Sequence, residues 1–548
     1  MLNRLRRLSP KTFKADLSAG LTTALVAIPD GIASAILAGL NPIHGLYALM
    51  IGTPIAAMLA SSQFMYVANT GALAIGTGGA LEGYSGEDKV AALVVLVLLA
   101  GLIQLGLGLL KLGGLVRFVA NAVLIGFMTG VAVRIILSQL GELNGYHAEG
   151  SNAMMRTLDW LLHLRHSDLA STALGLGTLA LVFVLNRTRL AQLGMAIALV
   201  AATVLAALAG LNSVATLADT TLIPDGLPPL VVPQWEMVAT LLPSAAGLAI
   251  IALVQGVGVS KTVPNPDGTY PNISRDFAAK GVANVASGMF AGMPVGGTMS
   301  ETAVSLKAGA RSRWAGIFSG LFIVMGVLLL ADLLGYLAMP AIAALLIVAG
   351  IEAIKPDRIG DVWHSGWEPR VILLSTFVAT LLLPVQEAVF MGVALSMLHY
   401  LYASSVDVRI VGMTPLANGS FAEHPAPARL QAGQTVVLAA YGSLHFAAAA
   451  TLEKKLPAAA PGACVILRLR GVQRAGSTLV TVIEQYAHTL RQRGATLVLA
   501  EVSPPLYAQL VKTGTIEMCG IDQVFVEEAD VFAATRRALH AARSLPTL

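Results

Sequence analysis

The sequence predicts an α-helical polytopic membrane protein of fourteen transmembrane segments, arranged as a seven-plus-seven inverted repeat, followed by a small cytoplasmic α/β domain. Three observations lead there. Only 12% of the 548 residues are charged and 56% are apolar, about half the roughly 25% charge of a water-soluble domain. Apolar runs long enough to cross a bilayer recur through residue 404 and then stop. Two short stretches rich in glycine and hydroxyl residues stand in matching places of two halves. A soluble core stops growing near roughly 250–300 residues, so a large soluble enzyme, a nucleic-acid binder and a disordered scaffold are all excluded. A net charge of +4 is too small to imply a polyanion partner.

Spans are expected near 16–39, 43–62, 90–110, 114–141, 170–186, 191–211, 241–262, 314–334, 337–354, 370–384 and 386–403. Weaker segments at 66–83, 275–292 and 295–309 carry more Gly, Thr and Ser. Basic residues test this count. With the N-terminus inside, the cytoplasmic ends collect eighteen Lys and Arg, from Arg4, Arg6 and Arg7 through Arg117, Arg189 and Lys280 to Arg370. The outer loops collect three: Lys89, Arg156 and Arg165. Shifting the count by one span would scramble that bias. Both termini are therefore expected in the cytoplasm of a multi-pass inner (plasma) membrane protein. The N-terminus has no short apolar stretch ending in a cleavage site, so it does not read as a secretory signal.

Residues 1–404 hold 43 charged residues and 405–548 hold 23, a denser share. A Pro/Gly/Ser/Asn-rich stretch at the junction predicts a linker over 405–428 between a membrane domain, 1–404, and a small domain, 429–548. In the latter, CVILRLRG and TLVLAEV read as strands around a helix, RAGSTLVTVIEQYAHTLRQRG. Ser477 reads as a helix N-terminal residue, with a phosphosite as the lesser alternative. Cys464 and Cys519 are too few for a disulfide framework or a zinc site and read as buried thiols.

Asp30 follows Pro29 inside an apolar span. A carboxylate at membrane depth costs roughly 2.5–3.5 kcal/mol, so it needs a reason to be there. It could only hydrogen-bond backbone freed by the proline. Alternatively it accepts a proton, since burial disfavours the charged form, and so serves in proton coupling beside a substrate. From Asp30 to Asn69 is 39 residues, and from Gln255 to Gly296 is 41. That spacing pairs Asp30 with Gln255 and VANTGALAIG with PVGGTMSET. Each of these stretches offers small or hydroxyl residues where a helix should begin. A helix N-terminus presents unpaired N–H groups and partial positive charge, which suits an anion. The substrate-binding candidates are Asp30, Thr70, Gly71, Gln255, Gly297, Thr298, Met299 and Ser300, with Gly296 and Gly297 allowing close backbone approach. The alternative is that these small residues serve only tight helix packing. Glu301 pairs with a basic group or faces a cytoplasmic gap; Arg134 snorkels to the interface or lines an anion path. There is no phosphate loop, metal cluster, cofactor site or catalytic set, so the chain does not read as an enzyme.

DLSAGLTTALVAIPDGIASAILAGLNPIHGLYA resembles the first-span signature of the SulP sulfate-permease family, the family of prestin. SRDFAAKGVANVASGMFAGMPVGGTMSETAVSLKAGARSR resembles that family's ninth span and tenth half-helix, and the tail resembles its STAS domain. The resemblance implies a uracil-permease-like fold whose core and gate subdomains move as an elevator, and a homodimer. It also implies Gln or Glu at many members' equivalent of Asp30, and Ser-Arg-Thr where this chain has Ser300, Glu301 and Thr302. Cyanobacterial sodium-bicarbonate members carry Asp where this chain has Gln255, which disfavours a sodium site.

The expected function is secondary active transport of a small anion, sulfate or a dicarboxylate with bicarbonate next, by proton-coupled symport. The partners are then the anion, a proton and membrane lipid, with no nucleic acid. An uncoupled anion exchanger or channel-like conductor is the alternative. A receptor merely anchored in the membrane would need no pair of half-helices at the midplane.

Overall fold

A computed structural model describes residues 10–114, 119–150, 153–188, 190–220, 227–442, 444 and 449–543. Arg4, Arg6, Arg7, Arg117 and Arg189 lie outside the described residues. The chain divides into two compact units, up to Ser396 and from Met397.

The first half of the membrane unit runs α1 (Pro10–Leu37), α2 (Pro42–Leu59), β1 (Tyr66–Ala68), α3 (Gly71–Ala80), α4 (Gly86–Leu109), α5 (Asn121–Asn144), α6 (Ala153–Leu162), α7 (Leu169–Leu185) and α8 (Gly194–Leu208). The second half runs α9 (Val238–Thr262), α10 (Ile273–Met289), β2 (Gly296–Thr298), α11 (Met299–Lys307), α12 (Trp314–Gly335), α13 (Met339–Ala353), α14 (Pro356–His364), α15 (Trp367–Leu382) and α16 (Val385–Val406). Apart from α6, α14 and a four-residue helix at Leu217–Thr220, each helix falls on one of the fourteen expected segments. Among the described residues seven helical stretches are long and apolar enough to cross a membrane, and three more are apolar but shorter.

The repeat is visible in the packing. Helix α1 packs on α12, and its repeat counterpart α9 packs on α4. Helix α10 packs on α4, and α2 packs on α12. These six helices, with the half-helices α3 and α11 packed on α9 and α1, form a core. In a second group α5 packs on α15 while α13 packs on α7 and α8, forming the gate.

Close approach within the core relies on glycine. A Cβ on Gly101 of α4 would stand 2.6 Å from Val285 N of α10, and one on Gly281 of α10 would stand 2.4 Å from Leu105 N. Small residues let membrane helices meet backbone to backbone. This also explains the weak apolar signal of α10. Phe277, Ala279, Lys280 and Ala283 are buried at 0–4% exposure, so most of the helix meets protein, and the less covered stripe of Ala278, Val282 and Ala286 is narrow. Lys280, counted at sequence level as a cytoplasmic-end charge, is thus a buried residue.

The second unit is a six-stranded sheet with order β8-β7-β6-β5-β3-β4, where β3 is Arg409–Pro415, β4 Phe421–Pro425, β5 Thr435–Tyr441, β6 Cys464–Arg468, β7 Thr496–Val502 and β8 Val524–Val526. Strands β5 to β8 are parallel; β3 is antiparallel to both β5 and β4. Alternation along β6 sends Val465 and Leu467 to one core, and Cys464 and Ile466 to the other. Helices therefore cover both faces, as a parallel sheet requires. The expected linker over 405–428 is corrected by this sheet. Val411 and Met413 of β3 are core residues, and the Asn-Gly-Ser signal is a hairpin turn in which Gly419 takes φ 82°.

Candidate anion site

Two short strands carry the site. β1 and β2 pair antiparallel with Tyr66 opposite Thr298, Val67 opposite Gly297 and Ala68 opposite Gly296. Each strand runs directly into a half-helix, so the N-termini of α3 and α11 lie at opposite ends of a ladder about 10 Å long. Thr70 is the N-cap of α3 and accepts from Leu73 N at 3.3 Å. Thr298 is the N-cap of α11 without a side-chain cap bond.

The strands are fastened from behind by polar side chains that the sequence reading did not single out. Thr53 Oγ1 of α2 donates to Val67 O at 2.6 Å. Asn284 of α10 donates to Val295 O at 2.9 Å and accepts from Val295 N at 2.7 Å. Thr302 Oγ1 accepts from Tyr66 N at 2.9 Å and donates to Thr298 O. Tyr66 OH and Ser319 Oγ share a bond of 2.6 Å. A polar residue in an apolar span was the available signal for Thr53 and Asn284; nothing local marks Tyr66.

The first helix of each half serves the half-helix of the other. Gln255 of α9 accepts from Thr70 Oγ1 at 3.1 Å. Asp30 of α1 lies within hydrogen-bonding reach of the Glu301 carboxyl of α11. Glu301 is 4% exposed and also accepts from Ser300 Oγ at 2.6 Å. The sequence expectation for Glu301, a basic partner or a cytoplasmic gap, is therefore corrected. Among the described residues no Lys or Arg forms an ion pair with either carboxyl.

The remaining candidates divide. A Cβ on Gly296 would stand 3.2 Å from Gln255 Oε1, and one on Gly71 2.6 Å from Ile135 Cδ1 of the gate helix α5. Gly297 is buried, with Gly256 Cα 3.1 Å from the place of a Cβ. Thr298 is buried and its hydroxyl turns to Tyr66 O at 3.4 Å rather than outward. Met299 is 50% exposed and Ser300 is exposed, so these two form the open lip. Arg134 Nη1 donates to Leu383 O at 3.1 Å, holding the C-terminal carbonyl end of α15 where a cation is favourable.

A core and a gate built as an inverted repeat, with two half-helices meeting at a short antiparallel ladder, define a membrane transporter. Residues 13–376 match the model of the sulfate permease family and residues 426–531 match the STAS domain. The chain belongs to the sulfate permease family. It is 28% identical over 545 residues to a protein named as a probable sulfate transporter of Mycobacterium tuberculosis, covering 97% of each chain. The fold is similar to the murine Solute Carrier 26 family member A9 anion transporter in its inward-facing state, with TM-score 0.83, 18% identity and coverage of 98% of this chain and 92% of that one. It is similar too to the transmembrane domain of the cyanobacterial bicarbonate transporter BicA, with TM-score 0.60, 22% identity and coverage of 71% and 98%. These relatives are transporters, not enzymes.

Proposed function

We propose that this chain carries a small anion across the plasma (inner) membrane by proton-coupled symport, the core moving against the gate as an elevator. Sulfate or a dicarboxylate is the cargo this reading favours, with bicarbonate next; the protein works as a homodimer with its termini and STAS domain in the cytoplasm. The observation that carries the reading is the ladder of β1 and β2, from whose two ends the N-termini of the two half-helices start. Each N-terminus is worth about +0.5 of a charge, so the pair supplies roughly one positive charge to an anion. Gln255 adds amide donors. Cargo named for relatives, sulfate and bicarbonate, fits such a cradle.

The carboxyl pair supports the proton. Ionised carboxylates are acceptors only and repel one another, so a proton taken up between Asp30 and Glu301 turns that repulsion into a hydrogen bond. An anion entering beside the pair is repelled by its negative charge, and a proton entering with the anion removes that repulsion. Uptake of labelled sulfate and succinate into proteoliposomes, with and without an inward proton gradient, tests the coupling. Symport predicts accumulation only with the gradient. Equal uptake without it sinks the symport reading and leaves an uncoupled exchanger or channel-like conductor.

A further inference from the structure

Lys280 lies two turns into α10, is 2% exposed, and is absent from the reading above. Its Nζ donates to Ala252 O at 3.2 Å and stands 5.4 Å from the centroid of the Phe277 ring. Among the described residues no acid pairs with it. Asp276, one turn earlier, spends its carboxylate on Ser61 N and Oγ, each at 2.6 Å, Ser62 N at 3.0 Å and Ser260 Oγ at 3.0 Å. A buried ammonium so sparsely partnered is costly to the fold.

Its two neighbours on α9 say where the charge acts. A Cβ added to Gly256 would stand 1.7 Å from Nζ, so the ammonium presses against that glycine. Gly256 Cα is in turn 3.1 Å from the place of a Cβ on Gly297. Ala252, whose carbonyl holds the ammonium, has its Cβ 3.9 Å from the place of a Cβ on Gly296. Lys280 therefore abuts the two residues that back β2.

We propose that Lys280 is the fixed positive charge of the anion cradle, acting on the bound anion through Gly256 and Ala252 from behind β2. The proposal rests on reading the β1–β2 ladder as the anion site. It accounts for a site that faces two carboxyl groups and yet takes an anion. A mutual Coulomb energy scales with the anion's charge, so Lys280 favours divalent over monovalent cargo. A lysine kept only for packing has no such dependence.

The test is equilibrium binding of sulfate, succinate, chloride and nitrate to the purified full-length protein, read by ligand-induced melting shifts. Lys280→Gln and Lys280→Met are expected to weaken the divalent anions about tenfold and the monovalent ones about threefold. The ligand-free melting temperature should stay level or rise, because an isolated buried charge is removed. Unchanged affinities, equal losses for both charge classes, or failure of both variants to fold would each overturn the role of Lys280. If the wild-type protein binds none of the four anions, the anion-site reading itself falls and this proposal falls with it. If the wild type binds and the variants bind as well, only the proposal falls.

Discussion

The Thr70 hydroxyl donates to Gln255 Oε1 at 3.1 Å, joining the N-cap of one half's half-helix to the other half's first span. The same oxygen accepts from Leu73 N at 3.3 Å, so its proton is committed to Gln255. The Gln255 amide is thereby turned with its oxygen toward Thr70 and its NH2 group away from it, free to donate. An N-cap residue thus fixes the direction of a side-chain amide.

Thr70→Val should break both roles. The lost cap costs about 1 kcal/mol of stability, and the freed amide loses its fixed direction. We expect KM for anion uptake to rise about tenfold, equivalent to one charge-assisted hydrogen bond of roughly 1.4 kcal/mol, with a smaller change in maximal rate. Thr70→Ser, which keeps the hydroxyl, should restore most of the affinity. An unchanged KM in Thr70→Val would show that Gln255 needs no orienting partner.

The lip and the back of the cradle differ in access, which cysteine labelling can read. The two native thiols do not interfere: burial pushes both Cys464 and Cys519 up to about 11, and the thiolate is the reactive form. Single Met299→Cys should label with a membrane-permeant maleimide at neutral pH, and saturating anion should slow it several-fold. Thr298→Cys should label slowly with or without anion, being 6% exposed at position 298. Equal labelling at the two positions would mean that the lip does not face the substrate path.

In the C-terminal unit a buried carboxylate ties the last helix to the sheet. Burial alone would raise the Glu501 carboxyl, but hydrogen bonds and charge from Arg468, with Thr535 and Arg470, hold it below the usual glutamate value. Arg468 Nη2 lies 2.9 Å from Glu501 Oε2, and Thr535 Oγ1 donates to Oε1 at 2.8 Å. A folded-state value below the unfolded one gives stability that is present above the unfolded value, about 4.3, and lost as pH falls through the folded value. Hydrogen exchange of the helix Ala533–Arg543, corrected for intrinsic rate, should therefore accelerate as the full-length protein is taken below about pH 4. Glu501→Gln should lose about 3–5 kcal/mol of protection there at neutral pH and show little further loss on acidification. A pH-independent wild type would refute the linkage.

Legibility in the sequence followed depth and locality. Long spans with outward-facing apolar side chains, such as α12 and α16, announce themselves because lipid contact demands a continuous apolar run. The half-helices were legible as Gly- and Thr-rich interruptions, and Asp30 and Gln255 as polar residues that an apolar span does not otherwise tolerate. What stayed hidden was pairing across the repeat. Glu301 meets Asp30 from another helix, and no local pattern encodes that contact. Lys280 was misplaced because counting charges at span ends ignores depth, and α10 begins at Ile273. The hairpin of β3 and β4 was mistaken for a linker because turn residues between two short strands carry the same composition as a flexible joint.

Asp30 offers the most direct test of how transport is driven. It follows Pro29 within α1, where the proline removes one helix hydrogen bond and leaves a carbonyl unpaired. Its carboxyl faces that of Glu301, and two like charges held together repel. Asparagine is nearly isosteric and can still hydrogen-bond Glu301, but it cannot cycle a proton. We therefore expect Asp30→Asn to fold and to exchange labelled sulfate with at least a third of the wild-type rate, since one missing charge removes no anion ligand. Accumulation against a gradient driven only by protons should fall at least about tenfold, because an uncoupled carrier equilibrates rather than concentrates. Glu301→Gln separates the partners: if both carboxyls handle the coupled proton it should show the same loss, and if Asp30 alone does it should retain accumulation. Should Asp30→Asn concentrate sulfate under a proton gradient as well as wild type, Asp30 serves the proline kink and the coupling lies elsewhere.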